Sequence, residues 1–192
     1  MITADKALER LKEGNRRFVA GESAHANSMR GFHPDLAKGQ TPFATVLACS
    51  DSRVPTELIF DVGFGDLFVI RVAGNVVAPS QIGSVEYAAS VLGARLVVVL
   101  GHSNCGAVVA TLQELRKEAS VRSPNLRSIV DRVQPAVRPD DTLETAITAN
   151  VRLSVERLTH GSQMLEELLD SDDLTIVGAE YSIETGEVTY LE

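Results

Sequence analysis

The run LVVVLGHSNC at residues 96–105 decides the expected fold, because it begins as an apolar strand and ends in polar, chemically active side chains. Its first six residues are apolar and rich in valine, a pattern typical of a strand buried on both faces of a sheet. A second run of the same kind, FATVLACSDSR, occupies residues 43–53. We therefore expect two parallel strands that carry Cys49 and His102 at their carboxyl ends, where open α/β sheets place their sites.

Cys49, His102 and Cys105 form a candidate ligand set for a metal ion. Zinc prefers thiolates and imidazoles, and three protein ligands leave a fourth tetrahedral position free for chemistry. Two other interpretations are open at this point, since a free cysteine is commonly a small buried apolar residue and two cysteines can form a disulfide. The metal interpretation is favoured because both cysteines share strand-end positions with a histidine and an Asp-x-Arg.

The composition argues against two classes of partner. The 192 residues carry a net charge of −8, with 18 basic and 26 acidic side chains. Nucleic-acid binding needs a surface of lysine and arginine, so this balance argues against it. No stretch approaches the ~20 apolar residues of a membrane span, and residues 1–6 lack the pattern of a secretory signal. We expect a cytoplasmic protein with no nucleic-acid or membrane partner.

The remaining sequence alternates between helical and strand patterns. We expect helices at residues 4–19, 54–60, 84–92, 125–133, 142–160 and 162–169, a helix beginning at residue 106, and strands at residues 67–72, 174–179 and 187–191. The predicted fold class is α/β, with a central, mostly parallel sheet of four parallel strands plus an antiparallel edge strand, flanked by helices.

We expect one domain, residues 1–192, consisting of an N-terminal helical arm (1–40) and a zinc-binding α/β core (41–192). The arm ends in a polar segment that contains His25 and His33. Either histidine could move protons, although exposed loop histidines are commonly inert.

Two motifs in the core resemble those of a known family. CSDSR at residues 49–53 and GHSNCG at residues 101–106, at this separation and after these strands, strongly resemble the β-class carbonic anhydrases of the bacterial type. The resemblance extends from the first helix to the final hairpin. It includes GDLFVIRVAGN at residues 65–75 and SVEY at residues 84–87.

The resemblance implies a zinc enzyme that interconverts carbon dioxide and water with bicarbonate and a proton. It implies one Zn²⁺ per subunit, held by Cys49, His102 and Cys105, and attack of zinc-bound hydroxide on CO2. It also implies a homodimer or homotetramer with active sites at the subunit interface.

Five further side chains receive roles from the same resemblance. Asp51 and Arg53 would form a catalytic dyad beside the metal, Gln40 would contact the substrate, and Phe68 and Tyr87 would line its pocket. Residue chemistry supports the dyad independently, because an ionised carboxylate only accepts hydrogen bonds and would orient a hydroxide. Arg53 would keep that carboxylate ionised and oriented.

A closed, inactive state also follows, in which Asp51 leaves Arg53 and becomes a fourth zinc ligand. One subgroup of the family couples this closure to a bicarbonate ion bound by a tryptophan, an arginine and a tyrosine. Arg71 and Tyr181 match that set, but the tryptophan position is Val46 and the chain contains no tryptophan. We predict that this regulatory bicarbonate site is absent.

Two alternative functions stay open. One is hydrolysis of carbon disulfide or carbonyl sulfide on the same zinc scaffold, because linear apolar substrates of similar shape are not distinguished by the metal ligands. The other is a catalytically silent, zinc-stabilised scaffold protein, since a fold does not guarantee activity.

Overall fold

A five-stranded sheet lies at the centre of the computed structural model, which describes residues 2–24 and 34–192. The helices are α1 (Ala4–Ala20), α2 (Thr56–Ile59), α3 (Pro79–Ser90), α4 (Gly106–Leu115), α5 (Pro124–Val133), α6 (Leu143–His160) and α7 (Gln163–Asp170). The strands are β1 (Ala44–Ala48), β2 (Leu67–Arg71), β3 (Leu96–His102), β4 (Thr175–Tyr181) and β5 (Val188–Tyr190). His25 and His33 lie outside the described residues.

The strand order is β2-β1-β3-β4-β5. The first four strands are parallel, and β5 pairs antiparallel with β4. The predicted α/β fold class is therefore confirmed. Strand β2 lies next to β1 on one side, and the later strand β3 lies next to β1 on the other side. The direction in which strands are added therefore reverses at β1. A crevice is expected where the direction of winding reverses, beyond the carboxyl ends of β1 and β3.

Helices cover both faces of the sheet, which explains the uninterrupted apolar sequences of the central strands. Every residue of β1 and β3 is buried. One face packs against α1 and α2, and the other packs against α3, α6 and α7. A third apolar cluster, formed by residues of α4, α5 and α6, surrounds Cys49 and Cys105 at the carboxyl edge.

A threonine and a glycine set the two ends of α1. Thr3 caps the helix by accepting a hydrogen bond from the backbone N–H of Lys6, and Gly21 ends it with a φ of 70°. The start of α3 differs from the expectation, because the helix begins at Pro79 rather than at Ser84. Proline is favoured in the first turn, where its missing N–H costs nothing, so Pro79 was the signal for the earlier start.

Candidate metal centre

The side chains of Cys49, His102 and Cys105 meet at the carboxyl edge of the sheet. Cys49 follows β1, His102 is the last residue of β3, and Cys105 is the N-cap of α4. Because β1 and β3 are parallel neighbours, residues that follow them lie side by side. The three potential ligand atoms all lie within 4.8 Å of one another, and all three residues are buried.

The orientation of His102 leaves one ring nitrogen available to a ligand. Its Nδ1 lies 2.8 Å from the carbonyl oxygen of Ser103, so we assign the ring proton to Nδ1, which donates to that oxygen. Nε2 then carries the lone pair. This atom is fully buried and, within the described part of the chain, has no hydrogen-bond partner. A buried acceptor without a partner is costly unless something binds it.

The two cysteines are free thiols that share one buried environment. A hydrogen bond from the Cys105 thiol lowers the pKa of Cys49 to about 4, although burial opposes the shift. The same hydrogen bond, together with burial, raises the pKa of Cys105. The backbone N–H of Gly74 also donates to the Cys49 sulfur, at 3.3 Å. The pair holds one negative charge readily, and a second thiolate requires a cation beside it.

These three donors fit a zinc ion. Bond lengths of about 2.3 Å to sulfur and 2.0–2.1 Å to nitrogen place tetrahedral ligand atoms roughly 3.5–3.8 Å apart. Separations within 4.8 Å need only small side-chain adjustments to reach those values. The unpartnered His102 Nε2 and the sulfur pair are the atoms that such an ion would satisfy.

Asp51 and Arg53 form a paired carboxylate and guanidinium next to this cluster. Arg53 Nε donates to Asp51 Oδ1 at 2.9 Å, and Arg53 Nη2 donates to Oδ2 at 2.8 Å. The Arg53 backbone N–H adds a third bond to Oδ1, at 3.0 Å. The side-chain hydrogen bonds from Arg53 hold the pKa of Asp51 well below its usual range. Asp51 Oδ2 lies 4.0 Å from His102 Nε2, so the carboxylate faces the candidate metal position.

Arg71 holds the turn that presents Cys49 and Asp51. It is the last residue of β2 and pairs in register with Ala48. Its Nε donates to the carbonyl oxygen of Cys49 at 3.0 Å, and its Nη2 donates to the carbonyl oxygen of Asp51. From the sequence alone, Arg71 matches only one residue of the family's regulatory bicarbonate site. The structure shows that two of its donors bind the backbone of the turn that carries Cys49 and Asp51.

Gly74 is required where its backbone approaches the cluster. It has a φ of +69°, and a Cβ at this position would lie 2.8 Å from the Cβ of Ala107. The buried side chain of Asn150 donates to the Gly74 carbonyl oxygen at 2.8 Å. Helix α6 therefore supports the turn whose N–H contacts the Cys49 sulfur.

Comparisons with known proteins identify the family. The profile of the family described as carbonic anhydrase matches residues 44–188. The chain belongs to the carbonic anhydrase family. It is 39% identical over 189 residues to carbonic anhydrase 2 of Mycobacterium tuberculosis, covering 94% of this chain and 89% of the relative. It is 40% identical over 187 residues to a carbonic anhydrase of Mycolicibacterium smegmatis, covering 95% and 90%.

Solved structures assign the class within the carbonic anhydrases. The β-carbonic anhydrase CcaA superposes with a TM-score of 0.76 at 28% identity, over 97% of this chain and 88% of that one. A β-carbonic anhydrase of Sordaria macrospora, described as tetrameric, superposes with a TM-score of 0.71 at 26% identity, over 97% of each chain. The resemblance to the β class noted from the two motifs is confirmed.

The carbonic anhydrase resemblance assigns Gln40, Phe68 and Tyr87 to the substrate, and none of them belongs to the buried Cys49, His102 and Cys105 cluster. Phe68 pairs in register with Thr45, four residues before Cys49, which is about 13 Å along a strand. The rings of Phe68 and Tyr87 are in contact, with centroids 6.0 Å apart. Tyr87 is 45% exposed, and Gln40 is exposed in the segment before β1. Their roles stay predictions.

Among the described residues, no helix combines the length and the apolar character that crossing a bilayer requires.

Proposed function

We propose that this chain catalyses the reversible hydration of carbon dioxide to bicarbonate and a proton, using one zinc ion per subunit. The observation that carries the proposal is the buried Cys49, His102 and Cys105 cluster, with its unpartnered Nε2, in a member of the carbonic anhydrase family. The reaction balances as CO2 plus H2O giving HCO3⁻ plus H⁺.

Cys49, His102 and Cys105 would hold the zinc ion. When bound, zinc supplies the Lewis acidity that makes a water molecule nucleophilic near neutral pH. Two thiolates cancel the formal charge of Zn²⁺, so this ligand set is electrostatically less activating than three neutral imidazoles. The neighbouring side chains therefore have to contribute to activation.

Asp51 is the residue that makes this contribution. Its ionised carboxylate can only accept hydrogen bonds, so Oδ2 would accept one from the nucleophilic water and turn the lone pair of that water toward carbon. An ordinary aspartate pKa of about 3.9 already leaves the group ionised at pH 7. The contribution of Arg53 at neutral pH is therefore to fix the two carboxylate oxygens in direction, through the three hydrogen bonds described above.

The same position of Asp51 supports a closed state. Oδ2 is 4.0 Å from His102 Nε2, so a side-chain rotation that breaks the contacts with Arg53 would bring the carboxylate toward the fourth position. The closed state would exclude water and would be inactive.

A homodimer or homotetramer would complete the substrate pocket. Phe68 lies in register with Thr45, four residues before Cys49 along the chain, and its ring contacts that of Tyr87, which is 45% exposed. These side chains, with Gln40, would line a pocket that a second subunit shares. We also propose that residues 1–192 form one domain and that the protein is cytoplasmic.

Stopped-flow hydration of carbon dioxide tests the proposed function. The protein is assayed as purified, after removal of metal with a chelator, and after addition of one equivalent of zinc. We expect activity to disappear on chelation and to return with zinc. Faster turnover of carbon disulfide or carbonyl sulfide than of carbon dioxide would favour a hydrolase. Absence of turnover with any of the three gases, despite bound zinc, would indicate a silent scaffold.

A further inference from the structure

We infer that Glu184 is a positioning residue that sets the geometry of the metal centre by holding the two residues between His102 and Cys105. This inference rests on the proposed function, because it concerns how the zinc ligands are held. Glu184 lies in the turn between β4 and β5, more than 75 residues from the ligands in sequence. Both intervening side chains, Ser103 and Asn104, donate to its carboxylate.

Ser103 connects His102 to this turn through three hydrogen bonds. Its hydroxyl donates to Glu184 Oε2 at 2.7 Å and accepts from the backbone N–H of Ile183 at 2.9 Å. Its own backbone N–H donates to the carbonyl oxygen of Tyr181 at 2.9 Å. The carbonyl of Ser103 is also the acceptor for His102 Nδ1. The residue that orients the imidazole is therefore fixed by the hairpin that carries Glu184.

Asn104 extends the same contact to the catalytic dyad. Its side-chain amide donates to Glu184 Oε1 at 2.7 Å, and its backbone has a φ of +57°. Asparagine adopts that region more readily than most non-glycine residues, and the contact with Glu184 fixes the direction of its side chain. The carbonyl oxygen of Asn104 accepts a hydrogen bond from Arg53 Nη2 at 3.4 Å. Glu184 is thus linked through Asn104 to the guanidinium that orients Asp51.

The carboxylate of Glu184 is ionised at neutral pH, which suits this role. Hydrogen bonds, the largest of them from the Ser103 hydroxyl, lower its pKa. The pKa of Arg53 is raised mainly by its hydrogen bond to Asp51, and the negative charge of Glu184 adds a smaller effect. Bonds to an ionised acceptor are short and strong, in agreement with the two distances of 2.7 Å.

The functional consequence follows from the spacing of the ligands. His102 and Cys105 are separated only by the two residues that Glu184 holds, so a shift of that segment moves both ligands relative to Cys49. Partners that orient metal ligands typically contribute 10- to 100-fold in metal affinity or activity. We expect Glu184 to contribute within that range.

Metal affinity tests the inference separately from activity. Glu184→Gln keeps the shape of the side chain but replaces one acceptor oxygen by a donor amide, and Glu184→Ala removes both acceptors. Glu187→Ala is the matched control, since it removes a carboxylate of the same hairpin that contacts Thr185 rather than the ligand segment. The zinc dissociation constant is measured by competition with a chromophoric chelator. The cobalt-substituted protein is examined by absorption spectroscopy, which reports coordination geometry.

We expect zinc affinity to fall roughly 10- to 100-fold in both Glu184 variants and to stay within about threefold in Glu187→Ala. The cobalt spectrum should change only in the Glu184 variants. Wild-type affinity and an unchanged spectrum in Glu184→Gln would overturn the inference, and circular dichroism identifies any variant that fails to fold. If the alanine variant does not fold, the glutamine variant decides.

A double-mutant cycle with Ser103→Ala tests whether the effect acts through the ligand segment. If it does, the loss of zinc affinity in the double variant is smaller than the combined losses of the single variants. Additive losses would overturn the role assigned to the Ser103 contact. Failure of the wild-type protein to bind zinc would instead contradict the proposed function, so the two outcomes are distinguishable.

Discussion

Asp51→Asn reverses the hydrogen-bonding character of the atom that faces the candidate metal position. Asp51 Oδ1 accepts two hydrogen bonds, from the backbone N–H and the Nε of Arg53, whereas Oδ2 accepts one, from Nη2. The single oxygen of asparagine therefore favours the Oδ1 position. Its amide nitrogen then takes the Oδ2 position, 4.0 Å from His102 Nε2 in the present geometry.

The expected effect on turnover is larger than the effect on folding. A donor at the Oδ2 position cannot accept a hydrogen bond from the nucleophilic water and opposes the Nη2 donor of Arg53. We expect kcat for carbon dioxide hydration to fall roughly 10- to 100-fold, the range typical of partners of a metal site. The Arg53 side chain is 50% exposed, so loss of the ion pair should change the thermal midpoint by less than about 4 °C.

The assay combines stopped-flow hydration with zinc analysis and thermal unfolding of the same samples. Asp173→Asn is the matched control, because Asp173 also pairs with an arginine, at 3.0 Å from Arg95, and is remote from the cluster in the fold. The control should retain kcat within about twofold. Wild-type kcat in zinc-loaded Asp51→Asn would refute the assigned role of Asp51. Loss of zinc in that variant would show that Asp51 acts through metal retention instead.

Three further predictions concern the surroundings of the cluster. Gly74→Ala should lower the free energy of unfolding by at least about 1 kcal/mol in urea titrations, because of its φ of +69° and the 2.8 Å approach to Ala107. Gly83→Ala is the control, because Gly83 lies in α3 and an added Cβ would meet nothing within 4 Å. This variant should raise the free energy of unfolding by about 0.5–1 kcal/mol. Equal losses in both variants would contradict the packing argument. Asn150→Ala should cost about 1–3 kcal/mol in the same titration, since it leaves the buried Gly74 carbonyl without its donor at 2.8 Å; an unchanged midpoint would show that this bond is replaced. Chelation of the purified protein should lower the thermal midpoint in calorimetry, and added zinc should restore that midpoint, because a ligand that binds only the folded state stabilises the folded state. A midpoint that neither treatment changes would argue against a resident metal.

The sequence predicted the sheet well because its central strands are buried on both faces. The apolar, β-branched runs at residues 44–48 and 96–101 are typical of strands buried on both faces, and the polar residues after them mark the carboxyl edge. The predicted start of α3 was wrong because the first turn of this helix has no apolar periodicity, since Pro79 and Ser80 are exposed. Only the preference for proline in a first turn indicated the true boundary.

The candidate ligands could be chosen from residue type and strand-end position, but the residues that support them could not. Arg71 reaches the Cys49 turn only because β2 pairs with β1 in a register that places it beside Ala48. Glu184 meets Ser103 and Asn104 because β4 pairs with β3 and the following turn folds over their carboxyl ends. Such contacts depend on strand order and register, and local sequence patterns do not report either.

X-ray absorption at the zinc K edge of the purified, reduced protein tests the central claim most directly, since it reports the type and number of atoms that bind the metal. We predict one zinc per chain with two sulfurs at about 2.3 Å and one imidazole nitrogen at about 2.0–2.1 Å, together with a light-atom ligand in the fourth position. A folded protein that retains no zinc, or zinc bound without sulfur, would contradict the account.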